Sequence, residues 1–248
     1  MSRIHDIRLA GWAGIIPVFT IAFYFTASGT LEATPPLDSP SAHLQTFVQQ
    51  SHIAMTWQVG VSLTLVLYLW FTAGLIEATH VPGQSQIPAR LVGWGAATVM
   101  ALSCCCFAVY MATAFQGELS VNSPDLIRAL LQASVLLATI SYGPMALLLL
   151  GGGLLLRRSR VLPSWLATSA LVLAPLIGLL TFTVPILHGP LASGTFISLT
   201  VGMVLFTLWV TAAGIALVRW SYRAQPTLPD TSSDPLSSSH AARMDQSS

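Results

Sequence analysis

The sequence predicts an all-α fold, a polytopic membrane bundle of six transmembrane helices. Three observations carry this. The chain of 248 residues is 54% hydrophobic and only 8% charged, and its mean hydropathy is +0.71. A soluble domain is about 25% charged, so these charges are too few to cover a water-facing surface of this size. The charges also fall at intervals that leave long uncharged stretches, each able to hold the roughly 20 apolar residues that a helix needs to cross a hydrocarbon core. The short alternating strands of a membrane barrel are not written anywhere in the chain, which leaves helices as the spanning form.

The spans follow from the gaps. Arg8 and Glu32 enclose 23 uncharged residues, Asp38 and Glu77 enclose 38, Arg90 and Glu118 enclose 27, and Arg128 and Arg157 enclose 28. The last gap, from Arg160 to Arg219, is 58 residues long and holds two spans around the turn His188-Gly189-Pro190. The expected spans are therefore 9–28, 53–76, 91–115, 126–156, 165–187 and 195–218. The fourth is longer than a bilayer requires, so it tilts or projects at one end.

Arginine placement sets the expected orientation. With the N-terminus inside, Arg3, Arg8, Arg90, Arg157, Arg158, Arg160, Arg219 and Arg223 are cytoplasmic, and Arg128 alone lies outside. Both termini are thus expected in the cytoplasm, in a bacterial cytoplasmic (inner) membrane. The first span has Arg3 and Arg8 ahead of it and Ala27-Ser28-Gly29 behind it, as a signal peptide would. Its length, with Trp12 and Pro17 inside it, favours a retained span.

The sizeable outer segment is 29–52. After Pro35, Pro36 and Pro40, the apolar residues Leu44, Phe47 and Val48 recur at helical spacing between glutamines, which predicts a short amphipathic helix at the outer face. Ser123-Pro124-Asp125 is a helix start, with serine as cap, proline in the first turn and an acid near the positive end of the dipole. Residues 1–223 form the membrane domain. Residues 224–248 are rich in Ser, Pro and Asp and are expected to be a disordered cytoplasmic tail.

The chain contains a weak internal repeat. Arg8-Leu9-Ala10-Gly11-Trp12 opens the first span and Arg90-Leu91-Val92-Gly93-Trp94 the third, while Leu162-Pro163-Ser164-Trp165 opens the fifth. Leu69-Trp70-Phe71-Thr72-Ala73-Gly74 closes the second and Leu208-Trp209-Val210-Thr211-Ala212-Ala213-Gly214 the sixth. Three related two-helix hairpins would produce this pattern, and so would the shared demand of one membrane boundary for tryptophan beside arginine. Ala170, Ala174 and Gly178, four residues apart, predict a close packing face on the fifth span. Pro17, Gly143-Pro144, Gly151-Gly152-Gly153, Pro175 and Pro185 are either packing adjustments or kinks that open a cavity between the fourth and fifth spans.

Residues suited to chemistry are few. No ionisable group lies in the middle of a span, which disfavours an ion pump or a carrier with a buried carboxylate. Gln58 and Gln132 are the strongest polar groups within spans. His43, His52, His188, Glu118 and Asp125 share the outer side, and of these His52 and His188 are the weak candidates for holding a metal or haem. Glu77 and His80 have the spacing of one half of a di-iron carboxylate site, but a second Glu-x-x-His is missing. Cys104, Cys105 and Cys106 point about 100° apart on a helix, cannot wrap one metal together, and are expected to be buried small packers. The net charge of +1 offers no field for nucleic acid.

Taken in order, several segments resemble a known group. They are Arg8-Leu9-Ala10-Gly11-Trp12, the outer helix ending Gln50-Ser51-His52, Tyr68-Leu69-Trp70-Phe71, the Arg90-Leu91 start, Tyr142-Gly143-Pro144, and the run from Arg157 to Leu166. Over residues 8–220 the chain resembles uncharacterised six-span integral membrane proteins of actinobacterial type, loosely similar to families of domains of unknown function. The resemblance implies six spans and transfers no activity and no site residue.

The expected function is that of a non-catalytic membrane subunit or interaction protein, with no catalytic residue, cofactor or metal. Its partners would be the lipid bilayer and a membrane protein partner or a second copy. The alternatives are a permease for a small apolar or neutral solute, and a membrane oxidoreductase with an outer site around His52 and His188.

Overall fold

The computed structural model describes residues 2–28, 40, 42–50, 66–118, 123–183 and 201–224. Their regular structure is entirely helical. The elements are α1 (Ser2–Ser28), α2 (42–50), α3 (Leu67–Ala78), α4 (Ile87–Glu118), α5 (Pro124–Ile140), α6 (Tyr142–Ser159), α7 (Ser164–Leu180, continued by a 3-10 turn at Thr181–Thr183) and α8 (Gly202–Arg223). Three stretches among the described residues are long and apolar enough to cross a membrane: Ile87–Gln116, Asp125–Ser159 and Gly202–Arg223. Leu67–Ala78 and Ser164–Leu180 are shorter apolar helices.

The expected spans map onto these elements. α1 contains 9–28, α4 contains 91–115, and α5 with α6 contains 126–156. The parts of the second, fifth and sixth spans that fall in 51–65 and 184–200 lie outside the described residues, as do the turn at 188–190 and the tail beyond 224.

The hydroxyl side chains within the helices find their partners in the helices themselves. Hydroxyls bond back to carbonyls of their own helix: Thr72 to Leu69, Thr113 to Val109, Ser134 to Leu131, Thr139 to Val135 and Ser221 to Val218. In an apolar environment this satisfies donors that would otherwise be stranded. Pro17 and Pro175 sit inside α1 and α7, and both helices continue through them. α5 begins at Ser123 with Pro124 and Asp125 in its first turn, as expected, although the Ser123 hydroxyl makes no capping bond. One residue, Ser141, separates α5 from α6, and Pro144 lacks the N–H that would have closed on Ile140. The stretch Asp125–Ser159 is 35 residues, about 52 Å at 1.5 Å per residue, and so exceeds a hydrocarbon core of about 30 Å.

The main helices form a ring in chain order. α1 packs between α3 and α8, α4 between α3 and α6, and α7 between α6 and α8, while α5 leans on α4. The core inside the ring includes Phe71 and Leu75 of α3, Val92 of α4, Leu148 and Leu149 of α6, and Phe206 and Trp209 of α8. A smaller core lies at the other end. There Leu44 and Val48 of α2 are buried against Ala114 of α4 and Ile127 and Leu131 of α5. The predicted amphipathic helix is therefore present, with its apolar face against protein.

Backbone proximity sets the seams. A Cβ on Gly214 would stand 2.7 Å from the carbonyl oxygen of Gly11, and one on Gly11 would stand 2.9 Å from that of Gly214. Thus α1 and α8 touch main chain to main chain. α6 uses three consecutive glycines for three neighbours. Gly151 abuts the Pro88 carbonyl of α4, Gly152 faces the Trp209 ring of α8, and Gly153 meets Leu171 and the Ala167 carbonyl of α7. Successive helical residues point about 100° apart, so three in a row can serve three directions. Lipid tails are as apolar as leucine, so close packing rather than water exclusion holds such helices together.

Candidate functional site

One end of the ring carries most of the described arginines. The contacts Gly11 to Gly214, Gly74 to Ala10, Gly151 to Pro88 and Gly153 to Ala167 place the starts of α1, α4 and α7 beside the ends of α3, α6 and α8. Arg90, Arg157, Arg158, Arg160, Arg219 and Arg223 are exposed there. Arg8 is half-buried, with its guanidinium carbon 5.3 Å from the centre of the Tyr222 ring, a cation–π contact between α1 and α8. Trp12, Trp94 and Trp165 are exposed four or five residues past Arg8, Arg90 and Arg160. Outward tryptophans next to arginines are the pattern of a membrane–water boundary.

Among the described residues the interior of the ring is closely packed. Trp209 is buried and donates its indole N–H to the Leu166 carbonyl at 3.1 Å. Tyr68 meets Phe206 edge to face at 5.9 Å and points its hydroxyl at Thr207. Beside this pair lies an apolar cavity of about 20 Å³, lined in part by Ser103, Met145 and Leu148. A single water needs about 10–15 Å³, so this space has room for about one. Between α6 and α7 the described residues are in close contact, in line with the packing-adjustment reading and not with a cavity between the fourth and fifth spans. Gly153 abuts Leu171, and a Cβ on Gly178 would lie 3.4 Å from Ala146. Gly178 of the predicted small-residue face thus lies on the α6–α7 contact, and Ala170 and Ala174 are buried on the same helix.

The polar candidates are dispersed. His52, His188 and Gln58 lie outside the described residues. His43 is exposed on α2, and Gln132 is exposed on α5. Glu77 and His80 are exposed at the end of α3, and no group of three His, Cys, Asp or Glu residues comes together among the described residues. The cysteine expectation needs correction. Cys104 and Cys105 are exposed and only Cys106 turns inward, where its thiol donates to the Ser134 carbonyl at 3.3 Å. α4 turns only part of its circumference to the ring, and two of three neighbouring residues fall on its outer side.

Sequence reading missed a cleft between the α3–α4 loop and the end of α6. It is lined by Ile76, Thr79, His80, Gln84, Gln86 and Arg158 among others. The loop and Arg158 are some 70 residues apart in the chain, and no local pattern announces their meeting. The repeat is also only partial. Trp12, Trp94 and Trp165 are exposed alike, but Trp70 is exposed where Trp209 is buried. Five residues separate Trp209 from Gly214 and four separate Trp70 from Gly74. That one residue turns the indole about 100° relative to the glycine seam.

No family model matches the chain. No curated protein and no solved structure matches it either.

Proposed function

We propose that the chain is a six-span integral protein of a bacterial cytoplasmic membrane, with both termini in the cytoplasm. In this reading it is a non-catalytic subunit that works by helix-to-helix association. The observation that carries the reading is the two-sided character of α4. Its inner side closes the ring through Val92, Ala96 and Val99, which are buried. Its outer side offers Gly93, Ala97, Ala101, Cys105 and Ala108, with open space at Gly93 and exposure at the rest. Small residues four apart let a second backbone approach closely, and α4 is the least covered of the three long apolar stretches. The close packing of the described core favours a scaffold over a permease.

The test uses the full chain in native membranes. The sequence contains no lysine, so lysine-directed cross-linkers have no side chain to join. A photoreactive residue at Ala97 should give one discrete protein adduct, and one at the lipid-facing Leu176 only lipid adducts. Ala101→Leu should abolish the Ala97 adduct. Lipid adducts alone at Ala97 would overturn the association reading, and flux through the purified protein in liposomes would hand the function to the permease alternative. Thiol probes placed at positions 83 and 45 check the orientation, with only position 45 open to an impermeant reagent from outside.

A further inference from the structure

We infer that the cleft between the α3–α4 loop and the end of α6 holds one anionic phospholipid. This inference rests on the membrane reading above. The cleft has two chemical halves. Ile76 of α3 and Leu155 of α6 form an apolar floor, while His80, Gln84, Gln86 and Arg158 form a polar mouth. Thr79 also lines it, but its hydroxyl is committed to the Leu75 carbonyl at 2.6 Å and is no donor to a ligand.

The mouth suits a phosphodiester. Arg158 carries the planar fork of N–H donors that pairs with phosphate oxygens, and the glutamine amides add neutral donors. No Asp or Glu lines the cleft, and Glu77, one turn back on α3, lies outside its lining. Arg157 is the next residue on α6, and Arg90 opens α4 just beyond the loop; both are exposed. The enclosed space is about 20 Å³, room for a single phosphate oxygen, so the headgroup rests on the rim and not inside. The level is right as well. Trp94 and Trp165, on the helices that begin at this end, are exposed and mark the depth at which headgroups lie. The apolar floor then runs toward the acyl chains. A basic pocket between helices at a membrane face is a recognised form for acidic headgroups.

The experiment is native mass spectrometry of the full chain in mild detergent with phosphatidylglycerol or phosphatidylcholine. We expect one phosphatidylglycerol to be retained in preference to phosphatidylcholine. Arg158→Gln should lower that retention about fivefold, as loss of one arginine near a lipid headgroup does. Arg158→Lys should lower it less than Arg158→Gln does, because lysine keeps the charge and loses the fork. Arg223→Gln, at the same end but outside the cleft, should change it by less than about twofold. Equal retention of the two lipids, or an equal loss in the Arg223 variant, would overturn the site. Displacement by millimolar inorganic phosphate would show an ion site and overturn the lipid. Flotation with vesicles after alkaline carbonate separates the two levels. A chain left in the soluble fraction overturns the membrane reading and this site with it, whereas a chain that floats without the lipid preference overturns the site alone.

Discussion

The indole N–H of Trp209 donates to the carbonyl oxygen of Leu166 across 3.1 Å, tying α8 to the first turn of α7. The same ring covers Gly152 of α6, whose missing side chain makes room for it. One residue of α8 thus holds two neighbouring helices.

Trp209→Phe should lower stability by about 1 kcal/mol, the usual net worth of one hydrogen bond. The loss stays near that value because the Leu166 carbonyl keeps another donor, the Ser169 hydroxyl at 3.0 Å. Trp209→Ala should lower it by about 3–5 kcal/mol through the cavity it leaves. Thermal unfolding in detergent measures both, and a pair of unchanged midpoints would contradict the packing described.

Gly214→Val and Gly93→Val should differ sharply. The first forces side-chain atoms into the Gly11 carbonyl and should destabilise by about 1–3 kcal/mol or more. At Gly93 an added Cβ has no neighbouring side chain or element within 4 Å among the described residues, so the second should leave the unfolding midpoint of the isolated protein nearly unchanged. Comparable losses would mean that the α1–α8 seam is no closer than the open face of α4.

Arg8→Gln should weaken the tie between α1 and α8 by about 0.5–1 kcal/mol, the range for a cation over an aromatic ring at a partly exposed site. Tyr222→Phe should keep the contact and Tyr222→Ala should lose it. A double-mutant cycle with no coupling between the two positions would remove the interaction.

Arg160 is the described non-glycine residue with positive φ, at 52°, where it closes α6 with its N–H on the Leu156 carbonyl at 3.2 Å. Left-handed backbone disfavours any residue with a Cβ by about 1–2 kcal/mol. Arg160→Gly should therefore raise stability by about 1 kcal/mol. Arg160→Val should lower it, since a branched Cβ fits that region worst. A lower midpoint in the glycine variant would show that the Arg160 side chain contributes more than its backbone strain removes.

The helices were legible because charge and length act locally. Arg8, Arg90, Arg157 and Arg219 sit at the ends of helices for the same reason that the stretches beside them are apolar. Leu44, Phe47 and Val48 disclosed α2 through spacing alone, and Ala170, Ala174 and Gly178 disclosed the packing face of α7. What stayed hidden depends on rotation about a helix axis and on meetings across the chain. Cys104 and Cys105 face outward because of how α4 is turned, which three identical residues cannot report. Trp70 and Trp209 sit in similar words of sequence and in opposite surroundings. The cleft at Arg158 needs a loop and a helix end brought together by α4 packing on α6.

The glycine triplet of α6 has a mechanical consequence. Because Gly151, Gly152 and Gly153 each answer to a different neighbour, turning α6 by one residue would drive the Leu154 side chain at the slot that Gly153 leaves for Leu171. Sliding it by one turn would take the glycines out of reach of all three helices together. α6 behaves as a keyed shaft with one admissible register. Among the described residues, α5 and α2 pack in a separate small core, apart from that key.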